Sequence, residues 1–285
     1  MYEKFELTSE SLARIEIHKV YEPLQPYFLM EVCRAFKVSL FIDVGANVGP
    51  YTLLMASLPA VNKVHSFEPS PKAFEHLQSN IVANKLVQRV VLHKKAASSN
   101  IHAARFGIAN DLSGTNSIVD TSIHSLQSFS SQIDVDCVTL DEVVKESGRV
   151  IGLKIDTEGH DLEVLMGAKS ILTNNRCILQ IEGYDDTAAE IMELLQPLGY
   201  RRIIKFGPDY YFSNLPEFQF PETVLNLVEI SISTMIEERI SQPSAKPSSP
   251  AARMNFGGIF TLELNGALGS YARYIRSRLR GRGGK

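Results

Sequence analysis

The chain has 285 residues, of which 44% are hydrophobic and 21% charged, with a formal net charge of −3. That apolar content excludes a disordered chain, and three cysteines exclude a disulfide-stapled miniprotein. A near-neutral total provides no global basic field to attract nucleic acid.

Four stretches are expected in chain order. Residues 1–37 read as an N-terminal helical cap, 38–214 as a cofactor-binding domain, 215–240 as an accessory helix, and 241–285 as a linker and basic tail. Leu40–Val44 is a short apolar run that fits a buried strand, and Tyr51–Leu58 reads as a helix opened by Pro50. Lys63–Phe67 is a second strand, and 71–84 is a helix with Phe74, Leu77 and Ile81 on one stripe. Val90–His93 and Val150–Ile155 are the next strands, the latter followed by a helix over 162–172. Cys177–Ile181 is a fifth strand, and 188–195 a further helix. Between them, residues 98–136 form a long polar segment whose 105–110 and 112–118 stretches fit a hairpin hanging over the site edge as an acceptor-side lid. Residues 222–240 carry an apolar stripe that packs on the body or on a second subunit. The segment 241–250 holds three prolines and four serines, as a linker does, and 271–285 holds six basic and no acidic residues. Such an end is solvated, or touches an anionic surface.

Repeated strand–helix units with apolar strands imply an α/β fold with a mostly parallel sheet and helices on both faces. Ligands then bind at the carboxyl ends of the strands. Cys33, Cys137 and Cys177 stand far apart with no metal-ligand spacing, so reduced buried thiols in a cytoplasmic protein are expected. No leader-like N-terminus and no apolar run of roughly 20 residues is visible.

The informative residues follow the strands. Asp43-Val-Gly45-Ala-Asn47-Val-Gly49 places two glycines four apart, where a tight turn meets a helix start. Asn47 stands where a dinucleotide loop needs its middle glycine against a pyrophosphate. Asp43 opposes a diphosphate but suits a sulfonium or ammonium charge, and Glu68, after the second strand, can accept bonds from two ribose hydroxyls. S-adenosylmethionine is a nucleoside with that charge. An N-cap role for Asp43 and a surface role for Glu68 are each reasonable alone; their joint spacing favours the cofactor. A nicotinamide-dependent oxidoreductase shares the sheet and the acidic residue, but the missing glycine and Asp43 count against it. A non-catalytic nucleoside-binding module is a third reading.

Phe41–Thr52, Phe67-Glu68-Pro69, Asn80 and Asn84, Val138–Asp141 and, most specifically, Leu153–Leu165 resemble FkbM-type S-adenosylmethionine-dependent methyltransferases. The resemblance covers residues 38–214. It implies a class I, Rossmann-like methyltransferase fold and methyl transfer to a hydroxyl oxygen of a small molecule, sugar or glycan.

Lys154, Asp156, Glu158, His160 and Asp161 crowd the end of the fourth strand. Helix-start capping accounts for part of this, most plausibly Asp161. Asp156 and Glu158 together need a cation, a partner or a shared proton. His160 is the natural general base by its ordinary pKa, with Asp156 or Glu158 as substitutes or as groups that orient it. Asp156, Glu158, Asp161 and Glu182 are also hard ligands of the kind magnesium or calcium takes, although no metal is assigned. Glu182, after the fifth strand, is a candidate for acceptor binding. So is Asn116, with Ser117 beside it, and simple turn roles are equally open to them.

Overall fold

In the computed structural model, the described residues are 1–240 apart from 110–111, 113–114, 120–128 and 184. Two helices, α1 (Ser9–Tyr21) and α2 (Gln25–Ala35), precede the sheet. Thr8 caps α1 by accepting the Ser11 N–H. Then follow β1 (Leu40–Val44), α3 (Pro50–Ala56), β2 (Lys63–Phe67), α4 (Pro71–Ala83) and β3 (Val90–His93). The chain next leaves the main sheet for β4 (Ala96–Ala97), β5 (His102–Ile108), β6 (Ser117–Ile118) and β7 (Ser131–Val138). It returns through α5 (Leu140–Val143) to β8 (Val150–Ile155), α6 (Asp161–Met166), α7 (Lys169–Asn174), β9 (Arg176–Glu182) and α8 (Asp185–Leu195). A hairpin, β10 (Arg201–Phe206) and β11 (Asp209–Ser213), and the long α9 (Pro221–Ile240) complete it.

The main sheet has seven strands in the order β10-β11-β9-β8-β1-β2-β3. The pairs from β9 across to β3 are parallel, and β11 is antiparallel to both of its neighbours. Side-chain alternation along each strand divides the core in two. Phe41, Val64 and Ile178 pack with Phe28, Leu29, Leu53, Leu77 and Val228 under α1 to α4 and α9. Ile42, Leu153, Ile155 and Leu179 pack with Val164, Leu172 and Ile191 under α5 to α8. The accessory helix rests on α2 of the same chain.

Two local expectations change, and one hairpin is added to them. The helix expected over 162–172 is two helices, because the chain turns at Gly167, where a Cβ would lie 2.0 Å from the Ser98 carbonyl oxygen. The 98–136 segment is more than a hairpin: β5 pairs with β6 as expected, but β5 also pairs along its length with β7, in a four-stranded sheet ordered β4-β7-β5-β6. The hairpin β10–β11 extends the main sheet beyond the fifth strand. The linker and basic tail expected over 241–285, and part of the polar loop, lie outside the described residues.

Candidate active site

A polar row crosses the floor of the sheet. Ser66 on β2, Asp43 on β1, Lys154 on β8 and Gln180 on β9 are neighbours in register and all are buried. The same alternation that turns Ile42, Leu153 and Leu179 to one core turns these four to the other face. Burial requires partners for them. Thr52, one turn into α3, donates to Asp43 Oδ2 at 2.6 Å and lies 2.7 Å from Ser66 Oγ. Gln180 Nε2 donates to Tyr51 Oη and to Asp209 Oδ1, both at 2.9 Å. Tyr51 Oη donates to Glu22, and Glu22 lies 3.2 Å from His18 Nδ1. Lys154 Nζ donates to Asp156 Oδ2 at 2.7 Å and sits 4.9 Å from the centre of the Tyr51 ring.

Lys154 is the cation that the crowded carboxylates require. Burial alone would lower its pKa; Asp156, Glu22 and Asp43 together hold it above the ordinary lysine range. Burial in turn opposes the charge of Asp156, and Lys154, with a bond from Glu182, holds that carboxyl below its usual value.

The glycine loop joins this floor at the mouth of β1. Gly45 has φ +77°, and a Cβ there would lie 1.8 Å from the Asp156 carbonyl oxygen. Gly49 continues the loop into α3 at φ +90°, and Asn47 between them also has a positive φ, 49°. Asn tolerates that region because its side chain bonds locally, here by accepting the Val48 N–H. The Gly45 and Ala46 N–H groups donate to the Phe67 carbonyl at the end of β2. Glu68, just beyond, accepts the Asn47 N–H on one oxygen and the Ser70 N–H on the other, each at 2.8 Å. Burial raises its carboxyl to about 7.

Above the loop is a cleft of about 740 Å³, lined among others by Asp43, Gly45, Asn47, Tyr51, Glu68 and Asp156. A smaller recess of about 40 Å³ adjoins it, between Phe67, Glu68, Ala96, Ala97, Phe106 and His160. The cleft's far wall is α1, with Glu10, Arg14, Ile17, His18 and Tyr21.

Asp156, Glu158 and Glu182 each bring a carboxylate oxygen into one cluster in which those atoms lie within 4.8 Å of one another. Glu182 holds its proton to about 10, because burial and the neighbouring Asp156 charge oppose ionisation, and it donates to Asp156. Glu158 sits on the loop after β8 at φ 56°, an uncommon conformation for a residue with a side chain. Burial and the Asp156 and Asp161 charges raise its carboxyl to about 7. Asp161 stands apart from this cluster: it accepts the Thr157 and Gly159 N–H groups and the Thr157 hydroxyl, and so holds the loop in shape. His160 is also elsewhere. Its Nε2 lies 2.9 Å from Ser98 Oγ, its Nδ1 3.7 Å from Glu163, and it lines the recess next to Glu68. Asn116 lines both the cleft and the recess, and its Oδ1 accepts the Ala109 N–H; Ser117 is buried beside it.

Sequence reasoning missed His18, Glu22, Tyr51, Gln180 and Asp209. Gln180 is one polar residue in an apolar strand, His18 and Glu22 stand at the end of a helix of mixed charge, and only the strand register and the docking of α1 bring all five together. Asn80 and Asn84 hold that docking: Asn80 Nδ2 donates to the Val48 carbonyl at 2.8 Å and to Ser11 Oγ at 3.0 Å, while Asn84 bonds the Glu6 backbone in both directions.

A seven-stranded sheet with one reversed strand, second from its edge, and a glycine loop after the central β1 is the class I methyltransferase arrangement. The chain belongs to the methyltransferase FkbM domain family, whose model matches residues 43–202. It is 29% identical over 194 residues to the 31-O-demethyl-FK506 methyltransferase FkbM of Streptomyces tacrolimicus, covering 58% of this chain and 74% of that one. It is 28% identical over 146 residues to the hexuronic acid methyltransferase AglP of Haloferax volcanii, covering 49% and 54%. Among solved structures, an FkbM methyltransferase from Methylobacillus flagellatus has 16% identity and a TM-score of 0.45, over 62% of this chain and 44% of that one. Membership of a methyltransferase family decides against the oxidoreductase reading. Among the described residues, no helix is long and apolar enough to cross a membrane.

Proposed function

We propose that the protein transfers a methyl group from S-adenosylmethionine to a hydroxyl oxygen of a small molecule, sugar or glycan. The observation that carries this reading is the pairing of a glycine-loop cradle with a carboxyl cluster across one cleft. The residues fit the donor. Gly45, lacking a side chain, lets the loop lie directly against the Asp156 carbonyl, and Asp43 Oδ1 is a buried oxygen with no hydrogen-bond partner among the described residues, on a residue that lines the cleft. Glu68 keeps a second lone pair on each oxygen for ribose hydroxyls. The donor supplies an electrophilic methyl group on a positively charged sulfur.

The acceptor hydroxyl is held at Asp156, Glu158 and Glu182. With the donor bound, its methyl group would pass to this oxygen, and Glu158 would take the hydroxyl proton. A base with a pKa near 7 is well matched to that transfer at neutral pH, whereas Asp156, held low by Lys154, orients the hydroxyl as a constant acceptor. His160, on the recess side, orients the loop and borders the donor site. Holding the acceptor oxygen at this cluster, beside a donor on the glycine loop, would supply the proximity that lowers the barrier.

The test is transfer of isotope-labelled methyl groups from S-adenosylmethionine to a panel of sugars and polyols. The expected product is an ether, so its label survives mild alkali. Label released by alkali, as from a methyl ester, would contradict hydroxyl transfer.

A further inference from the structure

The wall of the cleft opposite the carboxyl cluster lies outside the residues that match the family model, and its chemistry differs from that of the floor. On α1, Ala13, Ile17 and Tyr21 follow at i, i+4 and i+8, so they form one row along the helix. All three line the cleft. Ile17 is 48% exposed and Tyr21 is 76% exposed, while Ile15, which also borders the cleft, is fully buried in the core. The row is therefore not what fastens α1 to the body; Ile15, Ser11 and His18 do that. Arg14 and His18 follow on the next arc of the helix, towards the floor, and also line the cleft. One path across the cleft thus runs from an apolar rim, past Arg14 and His18, to Asp156, Glu158 and Glu182.

We infer that the methyl acceptor is an amphiphile: a hydroxyl-rich head reaches Asp156, Glu158 and Glu182 while an apolar body lies along Ala13, Ile17 and Tyr21. This rests on the proposed methyl transfer, and it commits the apolar row to the acceptor. Three carboxyls in one cluster, at least one holding its proton, offer acceptors and a donor to several hydroxyls at once. They offer nothing to a hydrocarbon. The α1 row offers contact area to a hydrocarbon and no hydrogen bond except through the Tyr21 hydroxyl. A ligand that used only the floor would leave the row in water. One that used only the row would leave no hydroxyl at the reacting end.

Calorimetric titration of methyl, butyl and octyl glucosides, below the micelle concentration, into the full chain saturated with S-adenosylhomocysteine tests this. Affinity should rise with alkyl length, with octyl at least about tenfold tighter than methyl glucoside. The Ile17→Asp and Tyr21→Asp variants should abolish the gain while binding S-adenosylhomocysteine as the wild type does. Equal affinity for methyl and octyl glucoside, no glucoside binding, or a chain-length gain that survives both substitutions would overturn the inference. So would a halving of the mass in solution caused by either substitution, because the row would then be a contact between copies. Failure of S-adenosylhomocysteine to bind is a separate result and counts against the donor reading instead.

Discussion

Lys154 shows how one side chain organises the site. It is only 3% exposed, and it balances Asp156, Asp43 and Glu22 from three different elements. Removing one member of a buried ion pair leaves the other uncompensated. Lys154→Met should therefore lower unfolding free energy by about 3 kcal/mol or more in urea titrations. A change below about 0.5 kcal/mol would mean that the pair behaves as an exposed one. Glu158 makes a different prediction. As the proposed base it must be ionised, so turnover should rise with pH through about 7. Glu158→Gln should remove that rising limb and cut kcat by about 10²- to 10⁴-fold, with donor affinity retained. An unchanged pH profile would move the base elsewhere. Much of this was legible in the sequence: Asp43, Gly45, Asn47, Gly49 and Glu68 follow strands whose apolar runs are plain. The base was harder to assign. Histidine is the residue type whose unperturbed pKa suits the task, but the bond of His160 to Ser98, 62 residues away, is a product of folding.

Elements were legible where their pattern is local. The five parallel strands are short runs, mostly apolar apart from Lys63–Phe67, and α4 has an amphipathic stripe, so all were expected close to where they lie. The hairpin β10–β11 was not: Arg201-Arg-Ile-Ile-Lys-Phe206 mixes charge with apolar residues, as a sheet-edge strand does. Nor was β7, hidden in a polar segment, where pairing with β5 and β4 makes it a strand. At the loop element, Gly45→Ala combines a left-handed backbone, which costs about 1–2 kcal/mol, with a collision against the Asp156 carbonyl. It should destabilise the fold by at least about 2 kcal/mol and abolish donor binding. Donor affinity equal to wild type would show that the cradle is not where the donor sits. The docking of α1 is equally specific. Asn80→Ala removes two bonds from a buried side chain, and should cost about 1–3 kcal/mol and speed amide exchange across residues 9–21.

The main sheet joins two cores, a second, four-stranded sheet has a small core of its own, and the candidate site lies at the carboxyl ends of the main strands. Its pH response has a second origin, away from the cleft. His65 on β2 and His93 on β3 stack with rings 5.3 Å apart and ring nitrogens at 3.0 Å. Burial, with the charges of Lys63 and Lys95 nearby, lowers both to about 4; Glu146 partly offsets this for His65. A folded-state histidine below its unfolded value of 6.5 favours the neutral ring. Stability from the pair is therefore complete above pH 6.5 and is lost as pH falls towards 4. The urea midpoint should fall across that window, and His93→Gln should flatten the fall; an identical acid limb in the variant would assign it to other groups. At this scale the net charge of −3 is a poor guide, since several carboxyls at the site are raised by burial and one is paired with Lys154.

The most direct measurement is a calorimetric titration of the full chain with S-adenosylmethionine, beside the Asp43→Ala and Glu68→Ala variants. Saturable binding of one equivalent in the micromolar range, weakened at least about tenfold in each variant, is the expected result. Absence of binding by the wild type at millimolar donor, or equal binding by all three proteins, would contradict the placement of the methyl donor on the glycine loop.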